Sequence, residues 1–175
     1  MSNFYTDVMK KDARYNNPNV KTVVCDLNLL EPGTRAAVIQ MQELAKAAGH
    51  ELKVAETYRS QARQHYLYEQ GFTQLSHVGM HGYCVAADLN LFVNGKYDPN
   101  GTHYEFMHAM AVRCLMVSGQ GWGTAKAHHS FTDWDHVQRV PLFRQDEIFA
   151  GTWYPPATGY DPWKDMLNNK IANIG

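Results

Sequence analysis

Two short stretches of the chain gather residue types that bind divalent cations. In HGYCVAAD, His81 and Asp88 stand seven positions apart with small and apolar residues between them, and in DWDH, Asp133 precedes His136 by three. Imidazole nitrogen and carboxylate oxygen are ligands that zinc accepts, and a catalytic zinc keeps one coordination position open for water. Three protein ligands and a nearby general base are the minimum for metal-assisted hydrolysis. His81, Asp88 and His136 supply the three ligands and Asp133 the base. If Asp88 lies in a strand and His81 in the loop entering it, the two converge, with His136 arriving from a neighbouring strand. Spacing alone leaves a plainer reading open, in which Asp88 caps a strand, His81 bonds a loop carbonyl and D-x-x-H is an Asx turn beside a surface histidine. With nine histidines in 175 residues, such pairs also arise by chance.

The elements that would position these residues are readable in outline. VKTVVCDLNLL is apolar and alternates briefly. EPGT then makes a turn into a helix over TRAAVIQMQELAKAAGH, with Thr34 as its cap and Gly49 as its stop. ELKVAET alternates Leu52 and Val54 in period two, as a half-buried strand does. SQARQHYLYEQG reads as a second helix, capped by Ser60 and stopped by Gly71. The Gly-rich loop LSHVGMHGYC leads into a strand over VAADLNLFV, and NGK makes a tight hairpin turn. THYEFMHAMAVRCLMVSG is the longest helical stretch, and DWDHVQRV holds a last short strand. Helices and strands mix without repeating βαβ units. This predicts an α+β fold, a small single domain with a central antiparallel sheet flanked by helices and the zinc in a cleft at the sheet. Within that domain we expect an N-terminal arm over 1–24, a core over 25–140 and an aromatic, Pro-rich extension over 141–175.

Composition removes several classes of function. Lys and Arg number 16 against 17 Asp and Glu, so the basic footprint of a nucleic-acid binder is missing. No apolar run approaches the roughly 18 residues of a membrane span. The start, MSNFYTDVMKKDARYNN, does not have the basic end and apolar stretch of a signal peptide, so the chain is expected to be made in the cytoplasm without export by the general route. Three cysteines at wide spacing, Cys25, Cys84 and Cys114, fit reduced thiols and form no zinc-ribbon pattern.

Taken in order, TYRSQARQHYLYEQG, HGYCVAAD, GWG and DWDH resemble the zinc peptidases of the D-alanyl-D-alanine carboxypeptidase and L-alanyl-D-glutamate endopeptidase family, over roughly residues 25 to 140. The resemblance implies a small α+β domain around one zinc per chain, with His81, Asp88 and His136 as ligands and Asp133 as catalytic base. It implies that Arg59, in the YRS element, helps polarise the scissile carbonyl. The implied substrate is the stem peptide of peptidoglycan. The expected function is an L-alanyl-D-glutamate endopeptidase of the phage or prophage endolysin type, a monomer acting on the cell wall after release. A D-alanyl-D-alanine carboxypeptidase or dipeptidase and a non-catalytic wall-binding or virion module are the alternatives. The chain departs from the family pattern at Cys84, where a glycine is usual, and at Asp135, where a proline is.

The remaining polar residues have plainer expected roles. Ser60 is a helix cap, Cys84 a small packed hydrophobe and His77 a loop residue at the rim. His103 and His108 fall on different faces of one helix, and Trp122 and Trp134 pack. His128 and His129 precede the DWDH turn and are candidates for substrate contact at the cleft rim. The Trp153–Trp163 tail is expected to pack over the domain.

Overall fold

A computed structural model describes residues 3–119 and 132–169. The fold is the expected α+β type, with a five-stranded, wholly antiparallel sheet at its centre. Strand β2 (Ala86–Val93) pairs along its length with β1 (His50–Glu56), and its first residues pair with β5 (His136–Gln138). The short β3 (Lys96–Tyr97) closes a hairpin on the far end of β2, and β4 (Val117–Ser118) lies outside β5. The hairpin turn is Asn94-Gly95, both at positive φ, as a two-residue connection matching the twist of its strands requires.

Alternation along the strands separates an oily face from a polar one. Ala87, Leu89 and Leu91 of β2, Leu52 of β1 and Val137 of β5 join one buried cluster. Helices α2 (Pro32–Ala47) and α4 (Tyr104–Arg113) cover that face, α2 with Ala37, Val38, Met41 and Ala45 and α4 with Met107, Met110 and Ala111. Each large side chain so buried contributes about 1.5–3 kcal/mol. Asp88 and His136 project from the opposite face of their strands, because they fall between these residues in the period of two.

Several boundaries differ from the sequence expectation. The cap of α2 is Glu31, whose carboxylate accepts from the main-chain amides of Gly33 and Thr34, while Thr34 sits inside the first turn and donates its hydroxyl to Glu31. A buried arginine, Arg139, fixes Glu31 there through an ion pair of 2.7 Å. VKTVVCDLNLL forms no strand. It runs irregularly into a single 3-10 turn at Leu27–Leu29, with Asp26 capping it. The stretch THYEFMHAMAVRCLMVSG is a ten-residue helix that stops at Arg113 and gives its last apolar residues to β4, so α2, with 16 residues, is the longest helix described. His103 stands at the N-cap of α4 rather than within it. At the N-terminus, α1 (Phe4–Asp7) gives the expected arm a helical turn.

The aromatic extension is clamped to itself and packs onto the body. It carries α5 (Gln145–Phe149) and α6 (Pro162–Asn168). Arg144 grips Asp165 with two hydrogen bonds of 2.9 and 2.8 Å, donates to Glu147, and lies over the ring of Trp153. The hydroxyl of Tyr160 also donates to Asp165. Trp153 and Tyr154 pack against the cluster of Met80, Val85 and Ile148 behind the loop that carries His81. The hydrogen bond and charge of Arg144 hold the Asp165 carboxyl below its usual value, so the clamp stabilises the fold at neutral pH, begins to weaken as the pH falls through about 4 and is lost as it falls through the lower folded-state value. Asp165→Asn should therefore lower stability by about 1–2 kcal/mol at pH 7, with the difference from wild type narrowing as the pH is lowered below about 4 in urea titrations. A difference that does not narrow at all over that range would contradict the ion-pair assignment.

Candidate metal centre

The register of the sheet places the first two residues of the site. Asp88 of β2 lies directly opposite His136 of β5, and paired residues on facing strands project to the same side. His81 comes from the loop before β2, wound into successive tight turns by main-chain hydrogen bonds from Gly82 to Gly79, Tyr83 to Met80 and Cys84 to His81. Gly82 is obligatory here, since a Cβ would meet the Val78 side chain at 1.5 Å.

Three electron-rich atoms meet at one point. His81 Nε2 is 3.0 Å from Asp88 Oδ1, His136 Nδ1 is 3.1 Å from the same oxygen, and the two nitrogens are 3.3 Å apart. Each histidine commits its other nitrogen elsewhere. His81 Nδ1 lies 2.8 Å from the Thr57 carbonyl, which can only accept, so this nitrogen carries the proton. His136 Nε2 lies 3.0 Å from Gln138 Oε1, and the Gln138 amide is oriented by donating to the Val140 carbonyl. In the neutral rings the lone pairs of His81 Nε2 and His136 Nδ1 therefore face Asp88 Oδ1 and each other, which is repulsive unless a positive charge sits between them. Ligands at the ~2.0–2.1 Å bond lengths of tetrahedral zinc stand about 3.3 Å apart, close to the separations found. The donor set and its outer hydrogen bonds fit such an ion.

Electrostatics of the cluster follow from the same geometry. When a proton instead of a cation sits between these groups, burial works against the Asp88 carboxylate, yet the charges and hydrogen bonds of His81 and His136 hold it well below the usual carboxylate range. Burial also opposes the His136 imidazolium, but the hydrogen bond and charge of Asp88 lift that ring above its ordinary value. Each half of the cluster thus draws positive charge. Arg59 attends it from outside: its Nη2 bonds Asp88 Oδ2 at 3.1 Å, and its Nε bonds Glu56 at 2.9 Å. Its Nη1 edge reaches Gln64 only at 3.4 Å.

A cleft of about 250 Å3 opens over the cluster, lined by His81, His136, Arg59, Asp133, Gln64, Gln138 and the loop 73–75. Gln64 holds that loop by donating to Thr73 and to the Leu75 carbonyl. Of the two acids in DWDH, Asp133 lines both this cleft and a separate small hollow beside Asn90 and Trp134, while Asp135 lines the hollow and not the cleft. The side chains of Asp133 and Asp135 share a hydrogen bond. Burial first, then the charge of Asp88 and the bond to Asp133, raise Asp135 to about 7. The Trp134 ring lies against Gly101, where a Cβ would approach within 2.5 Å. Gly119 accepts a hydrogen bond from the Asp133 amide and leaves room for that residue's main chain.

The structure brings His81, Asp88, His136, Arg59 and Asp133 to one place. His128, His129 and Trp122 lie outside the described residues. His77 packs edge-on against Phe149 in a loop, and His108 bonds Ser118 behind the sheet. Ser60 caps α3 (Gln61–Glu69), as its position suggested. Cys84 points away from the metal cluster, fully buried among Tyr5, Tyr15 and Tyr58. Its φ of 66° is left-handed, where glycine is at ease and other residues are strained. Sequence reasoning missed Glu56, Gln64, Gln138 and the Thr57 carbonyl. Gln138 was accessible in principle, because two residues after His136 in a strand means the same face.

No protein-family model and no curated protein matches the sequence. Solved structures share the fold. The Serratia marcescens L-Ala D-Glu endopeptidase ChiX aligns with a TM-score of 0.51 at 18% identity, over 68% of this chain and 90% of that one. VanYB in complex with D-alanine-D-alanine aligns at 0.52 and 14%, over 81% and 83%. The LdcB LD-carboxypeptidase aligns at 0.51 and 16%, over 70% and 64%. At these identities the likeness establishes the fold.

Gly119→Ala should push the segment carrying Asp133, because the added Cβ falls 2.4 Å from the Asp133 carbonyl oxygen. We expect a loss of about 1–3 kcal/mol in urea denaturation, and unchanged stability would mean that the contact is looser than described.

Proposed function

We propose that this chain is a zinc-dependent peptidoglycan peptidase that cuts the stem peptide, as an L-alanyl-D-glutamate endopeptidase serving a phage or prophage endolysin. The observation that carries the reading is the triad of His81, Asp88 and His136, with both outward ring nitrogens engaged and three inward atoms at 3.0–3.3 Å. The shared fold of ChiX, VanYB and LdcB supports the substrate class.

His81, Asp88 and His136 would hold the ion. A bound zinc supplies Lewis acidity and makes water acidic enough to attack a peptide carbonyl near neutral pH. Asp133, lining the same cleft, takes the proton of the attacking water and returns it to the leaving amine, acting first as base and then as acid. The Nη1 edge of Arg59 faces the cleft and complements negative charge as it builds on the carbonyl oxygen. Gln64 and Gln138 add neutral polar lining and fix their neighbours.

A carboxypeptidase must hold both oxygens of a free carboxylate. Among the described residues lining the cleft the cation is Arg59, whose Nε and Nη2 are taken by Glu56 and Asp88 and whose Nη1 alone is left for a substrate oxygen. That suits the single oxyanion of an internal peptide bond better than a C-terminal carboxylate. Cutting between L-alanine and D-glutamate frees the cross-linked peptide from the glycan, which is the lesion a lytic enzyme needs.

Purified protein should carry about one zinc per chain by elemental analysis, removable by chelator; a chain that binds none would end the metal reading. Asp133→Ala should retain zinc and fold while losing peptidoglycan hydrolysis by about 100-fold or more. Retained activity would move the base elsewhere. Mass spectrometry of the released fragments should find new N-terminal glutamate, whereas free D-alanine would identify a carboxypeptidase.

A further inference from the structure

Behind Asp88 lies a line of charges, Arg59, Glu56 and Arg63, of which the proposed hydrolytic chemistry uses only Arg59. In β1, Leu52 opposes Leu91 and Val54 opposes Leu89 on the oily face, so strict alternation would send Glu56 to that face as well. A bulge between Val54 and Glu56 prevents this. Ala55 is passed over, and Glu56 comes to lie opposite Asp88 on the polar face. There Glu56 is 5% exposed, with both oxygens occupied. One accepts from Arg59 and the other from Arg63 Nε at 3.1 Å. Arg59 in turn holds Asp88 Oδ2, leaving Oδ1 for the two histidines.

We propose that Glu56 is a positioning residue for the metal centre, acting through Arg59 to hold the Asp88 carboxylate in place and to offset the guanidinium charge beside a divalent cation. This rests on the reading of the triad as a metal site. Arg59 alone against Asp88 would orient the ligand but set an unbalanced positive charge beside the cation. With Glu56 beside it the guanidinium is already balanced. Arg59 and Arg63 against Glu56 and Asp88 sum to no formal charge, and removing the Glu56 charge would leave a net positive group beside a dication. A buried carboxylate between two arginines is a poor device for stability alone, since apolar side chains of similar volume commonly serve as well or better.

The test compares zinc affinity of the full chain, by competition with a chromophoric chelator, in wild type, Glu56→Gln and Glu56→Asp. Thermal stability of the metal-free forms is followed alongside. Outer groups that orient ligands typically change metal affinity 10–100-fold. We expect Glu56→Gln to bind zinc about tenfold more weakly and Glu56→Asp, which keeps the charge, to recover most of that loss. Equal affinity in Glu56→Gln, or a Glu56→Asp variant no better than Glu56→Gln, overturns the proposal even if both variants melt earlier. Should Glu56→Gln fail to fold, Arg63→Gln gives the opposite sign: it removes a positive charge from the cluster and should tighten zinc binding, and equal or weaker binding overturns the proposal. A wild-type chain that binds no zinc refutes the metal centre itself, whereas normal wild-type binding with an unaffected Glu56→Gln refutes only the role of Glu56.

Discussion

Two ring nitrogens and one carboxylate oxygen, forced to within 3.3 Å of one another with their protons committed elsewhere, are the constraint on which the site depends. Such an arrangement is costly by itself, because like-signed lone pairs are held together where little water can screen them. It persists because each partner is fixed from behind. The Thr57 carbonyl holds one ring, the Gln138 amide holds the other, and Arg59 holds the carboxylate. None of these anchors is a ligand, yet without them the inward atoms would rotate apart and hydrogen-bond separately.

The sheet supplies the accuracy. Glu56, Asp88 and His136 occupy one row across β1, β2 and β5, so three of the groups that matter are set by strand register rather than by loop conformation. The loop carrying His81 is then wedged against that row by packing that tolerates no extra atom at Gly82. Behind it, Trp153 and Tyr154, in the extension that the Arg144–Asp165 pair braces, pack against the cluster of Met80 and Val85. The oily face does the ordinary work of stability, which leaves the other face able to carry buried charge.

The convergence of His81, Asp88 and His136 was one of two readings open to the sequence, and the ordered resemblance to the zinc peptidases is what favoured it. It could be read at all because each residue lay in an element that pattern shows: a Gly-rich loop, a β-branched run with a hairpin turn after it, and a short strand. The fold class was readable for the same reason. Glu56 was not, since alternation from Leu52 and Val54 assigns it to the core, and a bulge is a property of two strands in register that one strand cannot announce. The cap of α2 was misassigned for a tertiary reason too. Glu31 is an unusual cap that becomes favourable only when Arg139, 108 residues later, neutralises it. The longest-helix expectation failed because the chain turns at Leu115, with φ at 55°, and pairing with β5 claims Val117 and Ser118.

Arg59 shows how far one guanidinium can be divided. A side chain wholly spent on Asp88 would be a structural anchor, and one wholly free would be a mobile cation facing the substrate. Here Nε and Nη2 are taken by Glu56 and Asp88, while the Nη1 edge has a single long contact, 3.4 Å to Gln64. The planar fork makes this division possible, because engaging one edge fixes the direction of the other. Lysine could not do both, having a single ammonium and no second edge. The same residue that keeps the Asp88 carboxylate in place thus lines the cleft with one edge already oriented, as polarising a carbonyl in the proposed reaction would require.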